Sequence, residues 1–527
     1  MHARFLIPVF FLLILLTPAS SAVGGEKDIL VITSAHLAGG LEAWMKHRRS
    51  QGHQVQVCLF EQTADREAEQ TRKQALLDTI RRGRPAHILI AGNVAHVPAF
   101  RYTSKKLHKK CESDLPYGLP DPATALPALQ VGRIPAGDAA GLEAALAKII
   151  RHEKRFSASE ARNTIQLLAG PANFGKTIDL LIESIATRML SRELAQHYNL
   201  RVIYASPTSP FFLPQEDITN RTRQAFEDGP LVVIYTGHGS NRGFARVRHR
   251  GVTHYFDTGN AAGIRSRALY PLFFSITCST GDYERADKPG LCAHLMLEPE
   301  GPVATFGSSE VSQPLPNLLL TKAVLHQVAN RRLRTIGDAV AAVRADFSTR
   351  HHALGRLVNE MVQGKVDEAA QKIHHQYLYN LFGDPATRLG FPAKDIQLSA
   401  RVEGSKLILT GSSPSVRNGI ALIRYDVDRC KILGRIEPHR KMEARAAGDI
   451  IRKNHLTASN KTLFKHEVPI TGGSFRLELD LTAATPRLIA GVRHRTFYFR
   501  VYARNKRCDA VGSLKFRPHT RKPPSDR

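Results

Sequence analysis

The chain has 527 residues, 43% of them hydrophobic and 23% charged, with 74 Lys and Arg against 47 Asp and Glu for a formal net charge of +27, and only six cysteines. That length is enough for two or three domains, each burying a core of its own. The composition excludes a chain disordered throughout, which would carry fewer apolar residues, and a disulfide scaffold, which would need far denser cysteine.

The first 22 residues read as a signal peptide. Arg4 precedes the apolar run Phe5 to Leu16, and Ser20-Ser21-Ala22 offers small residues where a signal peptidase cuts. The run is short for a spanning helix, and no later stretch reaches the roughly 20 apolar residues such a helix needs. The expectation is a protein secreted, or held in the periplasm or cell envelope, after cleavage near Ala22. Export permits disulfides, so Cys430 and Cys508 are candidates for a pair, whereas Cys58, in the strand pattern Val55, Val57, Cys58, Leu59, reads as a buried small hydrophobe.

From Asp28 short apolar runs alternate with amphipathic stretches. Ile29 to Thr33, Val55 to Phe60 and His87 to Ala91 predict strands, with helices at Leu37 to Gln51 and Arg66 to Arg82 between them, which is the rhythm of a parallel sheet with crossover helices. A loop rich in Pro and Gly, Asp114 to Pro135, and a helix from Ala139 to Phe156 complete a first α/β unit at 28–157.

The rhythm resumes with strands at Thr164 to Ala169, Val202 to Ala205, Leu231 to Tyr235, Leu272 to Thr277 and Pro302 to Phe306, several of them apolar on both faces, as in a sheet covered on both sides. Helices follow at Leu318 to Asn330, Ile336 to Phe347 and Ala370 to Tyr379, until Gly383-Asp384-Pro385 breaks the pattern and closes a second α/β unit at 158–392. From Ile396 the character changes to short alternating segments (Lys406 to Thr410, Ile420 to Val427, Ser474 to Leu479, Thr496 to Ala503), which predict an all-β sandwich over 395–514 and leave a basic, disordered tail at 515–527.

The positive charge is uneven: Asp395 to Arg527 holds 27 Lys and Arg against 12 Asp and Glu, so +15 of the +27 lies there. Solvated faces and a basic tail are the ordinary reading, and contact with an anionic cell surface is the other. No nucleic-acid recognition motif stands out.

Gly170-Pro171-Ala172-Asn173-Phe174-Gly175-Lys176-Thr177 fits the loop that cradles nucleotide phosphates, and it lies between a strand and a helix as that motif requires. Against a nucleotide stand the lack of a later strand ending in a magnesium-holding Asp and the exported setting. The alternative is a glycine-containing turn into an amphipathic helix.

Two strand ends carry a stronger signal. Leu231 to Tyr235 runs into Thr236-Gly237-His238-Gly239-Ser240, and Leu272 to Thr277 runs into Cys278-Ser279-Thr280-Gly281-Asp282. Carboxyl ends of strands in one parallel sheet face a common crevice. A thiol and an imidazole meeting there make a nucleophile and its base, with the backbone N–H groups of Gly239 and Cys278 as candidates for an oxyanion hole. The competing reading is a packed cysteine and a turn-capping histidine.

At these residues the chain resembles the gingipain-type cysteine peptidases of the caspase-like group, over about Asp28 to Pro392. Ser113-Asp114 with Tyr117-Gly118, Val131-Gly132-Arg133, Tyr235 to Ser240, Cys278 with Gly281-Asp282, and Phe382-Gly383-Asp384-Pro385 match family landmarks in order. The resemblance implies a caspase-like α/β fold, parallel sheets flanked by helices in two subdomains, followed by an immunoglobulin-like sandwich. It implies Cys278 as nucleophile and His238 as general acid/base of an endopeptidase acting on polypeptides through a thioester.

Asp179 matches the acid at the base of the specificity pocket in the arginine-specific members, which implies a preference for Arg or Lys before the scissile bond. Gly170-Pro171 falls on a family segment unrelated to nucleotides. The resemblance implies that no cofactor is required and that a structural calcium is possible, though no compact acidic loop in the sequence places it. Three departures stand out: Leu168 where arginine-specific members carry a Glu near the catalytic His, Thr277 where Ala usually precedes the nucleophile, and a replacement near Pro314 for the tryptophan of the specificity pocket. The alternative on the same fold is a catalytically silent or transpeptidase-type cell-envelope protein.

Overall fold

The structure, a computed structural model, describes residues 28–119, 121, 126–154, 159–171, 192–207, 209–249, 252–254, 256–330, 333–353, 356–357, 360, 367–439, 443–480 and 496–517. The signal segment and the tail beyond 517 lie outside them. Among the described residues no helix is long and apolar enough to cross a membrane.

The main body is built on strands β1 (Asp28–Thr33), β2 (Gln54–Leu59), β3 (His87–Ala91), β4 (Phe100–Ser104), β5 (Lys109–Ser113), β6 (Gln130–Ile134), β7 (Thr164–Ala169), β8 (Asn199–Tyr204) and β9 (Val232–Thr236). The short β10 (Gly239–Ser240), β11 (Gly243–Phe244), β12 (Val247–His249) and β13 (Val252–His254) follow, then β14 (Leu272–Ile276), β15 (Ala304–Ser308) and β16 (Tyr379–Phe382). Ten of these form one sheet in the order β2-β1-β3-β6-β16-β15-β14-β9-β7-β8.

Alternate residues of the first strands serve opposite faces, as the pleat requires. Ile29 and Val31 of β1 and Leu89 of β3 join the large core that runs on through Val233, Phe273 and Phe306 to Phe382. Their neighbours Leu30, Ile32, Ile88 and Ile90 pack under helix Arg66–Gly83 in a second core with Leu76, Leu77 and Ile80. The central strands β3, β9, β14 and β15 are buried along almost their whole length, which explains their lack of polar alternation.

Two of the ten strands are absent from the sequence reading. β6 lies inside the segment expected to be a Pro- and Gly-rich loop, and β16 follows directly on helix Glu368–Leu378, where a broken helical pattern was expected. They are neighbours, and they join the two α/β halves. β16 runs parallel to β6 but antiparallel to β15. The strands on one side of this seam therefore point opposite to those on the other.

Buried charges hold the seam. Arg133 of β6, fully buried, donates to both carboxylate oxygens of Asp114, at 2.7 and 2.6 Å, and to the carbonyls of Gly92 and Val97. Asp384, just past β16, accepts from Trp44 Nε1 at 2.8 Å and from Arg48 Nε and Nη2 at 3.0 and 2.6 Å. Gly132 is required where it stands, because a Cβ there would lie 2.3 Å from the Gly383 carbonyl. The Asp114, Arg133 and Asp384 landmarks are thus structural.

The remainder contains β17 (Gln397–Glu403), β18 (Lys406–Ser412), β19 (Gly419–Val427), β20 (Thr462–Ile470), β21 (Ser474–Asp480), β22 (Phe497–Arg504) and β23 (Asp509–Phe516). They form antiparallel sheets of three strands (β17-β18-β21) and four (β20-β19-β22-β23). Both sheets contribute to a single core that includes Leu407, Leu409, Ile423, Tyr425, Leu477, Phe499 and Val501. Helix Ala444–Ser459, which the sequence reading did not foresee, lies between β19 and β20.

None of the six cysteines is in a disulfide, so the candidate Cys430–Cys508 pair is not formed. Val427 of β19 lies opposite Phe497 and Ile420 opposite Arg504, so Cys430 follows one end of this ladder and Cys508 the other. A disulfide needs Cα atoms within about 7 Å. Burial pushes the Cys58 thiol pKa up, in keeping with a packing role.

Candidate active site

His238 and Cys278 follow adjacent parallel strands. β9 and β14 pair in register from Val232 opposite Leu272 to Thr236 opposite Ile276, and each residue lies two positions beyond that last pair. The two loops therefore leave the sheet side by side. His238 is exposed and Cys278 partly buried at the edge of the core.

Close backbone packing fixes the loops against each other. Gly237 has φ +149°, and a Cβ there would come within 2.9 Å of Gly170. A Cβ on Gly239 would meet Thr277 Oγ1 at 2.7 Å and the Cys278 carbonyl oxygen at 3.0 Å. Thr277, in place of the family's usual Ala, donates its hydroxyl to the Gly237 carbonyl at 2.7 Å and so ties the cysteine loop to the histidine loop.

Tyr235 braces the histidine from behind. Its hydroxyl donates to the His238 carbonyl at 2.6 Å and accepts from Ala245 N at 3.2 Å, while its ring stacks on Phe244 with centroids 3.7 Å apart. Burial holds this phenol protonated, well above its ordinary pKa, so it acts as a donor.

The cysteine side is held by residues that sequence reasoning missed. Ser279 adopts φ +55°, a left-handed conformation that costs a non-glycine residue roughly 1 kcal/mol or more. Its N–H donates to Ser308 Oγ at 2.9 Å and to the Glu310 carbonyl at 3.0 Å. Ser308 Oγ in turn donates to the Thr277 carbonyl at 2.5 Å. A serine after a strand-end cysteine carries no sequence signal for a positive φ.

Ser312 is the immediate neighbour of the thiol. Its Oγ lies 3.5 Å and its carbonyl oxygen 3.7 Å from Cys278 Sγ. Asn317, near the start of helix Pro314–Asn330, donates Nδ2 to Ser312 Oγ at 2.7 Å, and Tyr379 of β16 donates its hydroxyl to Asn317 Oδ1 at 2.7 Å. A hydrogen-bonded chain thus runs from the seam of the sheet to the sulfur.

Of the other residues singled out in the sequence, Leu168 is buried in β7 opposite Tyr235, so this position offers an apolar side chain to the core and no carboxylate. Gly170 donates its N–H to the Thr236 carbonyl at 2.8 Å and packs against Tyr235, which makes the start of the phosphate-loop match part of the strand-end scaffold. The rest of that match, and Asp179, lie outside the described residues. Among the described residues no group of three or more His, Cys, Asp or Glu side chains is placed to hold a metal ion.

A large mixed sheet flanked by helices, with a cysteine and a histidine at the carboxyl ends of two adjacent parallel strands, defines an α/β protein of the caspase-like kind. Residues 23–390 match the model of peptidase family C25, and the chain belongs to that family, the gingipain type of cysteine peptidase. The fold is similar to the crystal structure of the Arg-specific cysteine proteinase gingipain R (RgpB), at TM-score 0.53 and 14% identity, covering 94% of this chain and 100% of that one. It is also similar to a complex of the Porphyromonas gingivalis RgpB pro- and mature domains, at TM-score 0.51 and 15% identity, covering 93% and 99%. No curated protein matches the sequence.

Proposed function

We propose that the protein is an exported cysteine endopeptidase in which Cys278 and His238 act as a dyad. The observation that carries this reading is the register of β9 and β14, which brings the two side chains out of the sheet at one level on adjacent strands. The Cys278 thiolate attacks the scissile carbonyl carbon, and the carbonyl π electrons move onto oxygen, toward the backbone N–H groups of Gly239 and Cys278. Collapse of this intermediate breaks the C–N bond, with a proton passing from His238 to the leaving amine. Water, deprotonated by His238, then hydrolyses the thioester and returns the thiol.

Asp179 is the group proposed to bind an Arg or Lys side chain before the scissile bond, by analogy with the Arg-specific gingipain R. The basic C-terminal part is assigned contact with anionic cell-surface groups, after export to the periplasm, the envelope or the medium. A silent or transpeptidase-type reading draws on Leu168, which leaves the histidine without the acid that arginine-specific members supply there.

The test is hydrolysis of a positional library of fluorogenic peptides by the mature protein under reducing conditions, beside Cys278→Ala and Asp179→Asn. Turnover lost in Cys278→Ala and a basic preference lost in Asp179→Asn are the expected results. Turnover unchanged in Cys278→Ala would remove the mechanism.

A further inference from the structure

Between the edge strand β8 of the main sheet and the C-terminal part lies a cavity of about 160 Å³. By the same measure a single water needs only about 10–15 Å³. Tyr198, Arg424, Asp426, Arg429, Lys461 and Arg500 contribute to its wall. It lies at β8, three strands away from β14.

The charge in this wall does not balance. Arg424 of β19 stands directly opposite Arg500 of β22 on one side and Lys465 of β20 on the other, and like charges directly opposite are destabilising. Lys465 is drawn away to Glu160 at 2.8 Å. The two arginines share one carboxylate oxygen, Asp426 Oδ2, which lies 3.1 Å from Arg424 Nη2 and accepts from Arg500 Nη1.

Arg429 is buried and donates to three backbone carbonyls, those of Leu194, Ala195 and Tyr198, each at 2.7 Å. Four cationic side chains thus contribute to the wall with one carboxylate, and the charge of Asp428, which is not part of the lining, acts on Arg429, Lys461 and Arg500. The neighbouring His197 reports the resulting field: burial first, then Lys394, Arg429 and Arg500, push its pKa down to about 3.

Two polar atoms of the lining residues, Tyr198 Oη and Asp426 Oδ1, are buried away from the cavity without a hydrogen bond among the described residues. Lys461 donates to the Lys431 carbonyl and has two further N–H groups to offer.

We propose that this cavity binds a phosphoryl oxyanion, either inorganic phosphate or the phosphate end of a phosphomonoester. Lys461 donates to its oxygens, and Arg424, Arg429 and Arg500 supply the field. The bound anion would tie the C-terminal part to the edge of the main sheet.

The test is isothermal titration and thermal unfolding of the full mature protein with inorganic phosphate, glycerol phosphate, sulfate and chloride at matched ionic strength. The expected result is saturable phosphate binding with a rise in unfolding midpoint that chloride at matched ionic strength does not give. Lys461→Gln should lose the phosphate-dependent rise yet be at least as stable as the parent in phosphate-free buffer, because a half-buried cation beside three arginines has been removed. Binding of inorganic phosphate alone assigns a free ion, and equal or tighter glycerol phosphate binding assigns a phosphomonoester. A midpoint that follows ionic strength alone, no heat of binding, or a phosphate response undiminished in Lys461→Gln would overturn the proposal.

Discussion

Ser312 Oγ lies 3.5 Å from Cys278 Sγ while accepting a hydrogen bond from Asn317 Nδ2 at 2.7 Å. Because Asn317 occupies one lone pair of this oxygen, the serine hydrogen remains to be directed at the sulfur. Buried Tyr379, whose phenol is held protonated, sets the polarity of the whole chain. A donor aimed at the sulfur favours the thiolate.

Ser312→Ala is therefore expected to lower turnover several-fold and to slow alkylation of Cys278, and Asn317→Ala to do the same by less. The check is kcat/KM together with the rate of Cys278 alkylation. Unchanged turnover and alkylation in Ser312→Ala would leave the serine a purely structural neighbour.

Gly239→Ala should abolish most activity, since the new methyl meets Thr277 Oγ1 at 2.7 Å and Cγ2 at 2.8 Å. Thr277→Ala removes both of those atoms at the cost of the bond to Gly237, about 1 kcal/mol. The double variant should recover part of the lost turnover, a sign of coupling that a cycle of the four proteins reads directly. Strict additivity would mean that the loops do not touch as described.

Asp114→Asn leaves the Arg133 guanidinium buried without its counter-charge and is expected to cost about 3–5 kcal/mol in denaturant unfolding. Replacing both residues by apolar ones, Asp114→Leu with Arg133→Met, should cost much less. The position lies at the seam of the sheet, so the native fraction should retain Cys278 reactivity.

Glu153 supplies a pH dependence. Burial raises its pKa, but the charge of Arg48 and hydrogen bonds from Arg388 N, Arg48 and Gln51 outweigh burial and bring it down to about 2 from an ordinary 4.5. A depressed carboxylate contributes stability that is complete above the unfolded value and is lost as pH falls through the folded one. About 3 kcal/mol should therefore disappear between about pH 4.5 and pH 2. Acid unfolding of Glu153→Gln, less stable at neutral pH, should be flatter over that window than that of the parent.

What the sequence disclosed follows from the range of the forces involved. β3, β9 and β14 announce themselves because strands buried on both faces must be apolar throughout, and the two loops that follow them carry glycines where backbones touch. β6 and β16 went unseen because Gly132, Arg133 and Asn380 look like loop residues until Asp114 and the Gly383 carbonyl, far off in the chain, come to meet them. Ser312, 34 positions from Cys278, is invisible for the same reason. The helix at Ala444–Ser459 has ordinary amphipathic spacing, and its neighbours' β pattern hid it.

The position of β16 has a further consequence, for the growing chain. It is the last strand of the main sheet to be synthesised, yet it occupies the middle. Until residue 382 has left the ribosome, β6 and β15 both present bare hydrogen-bonding edges, the kind of surface that invites pairing with other chains. Tyr379, the far end of the chain leading to Cys278, arrives with that same strand. A nascent chain halted before it would carry both His238 and Cys278 and still lack the support that aims Ser312 at the sulfur, so the sheet's closure and the completion of the cysteine's surroundings are one event.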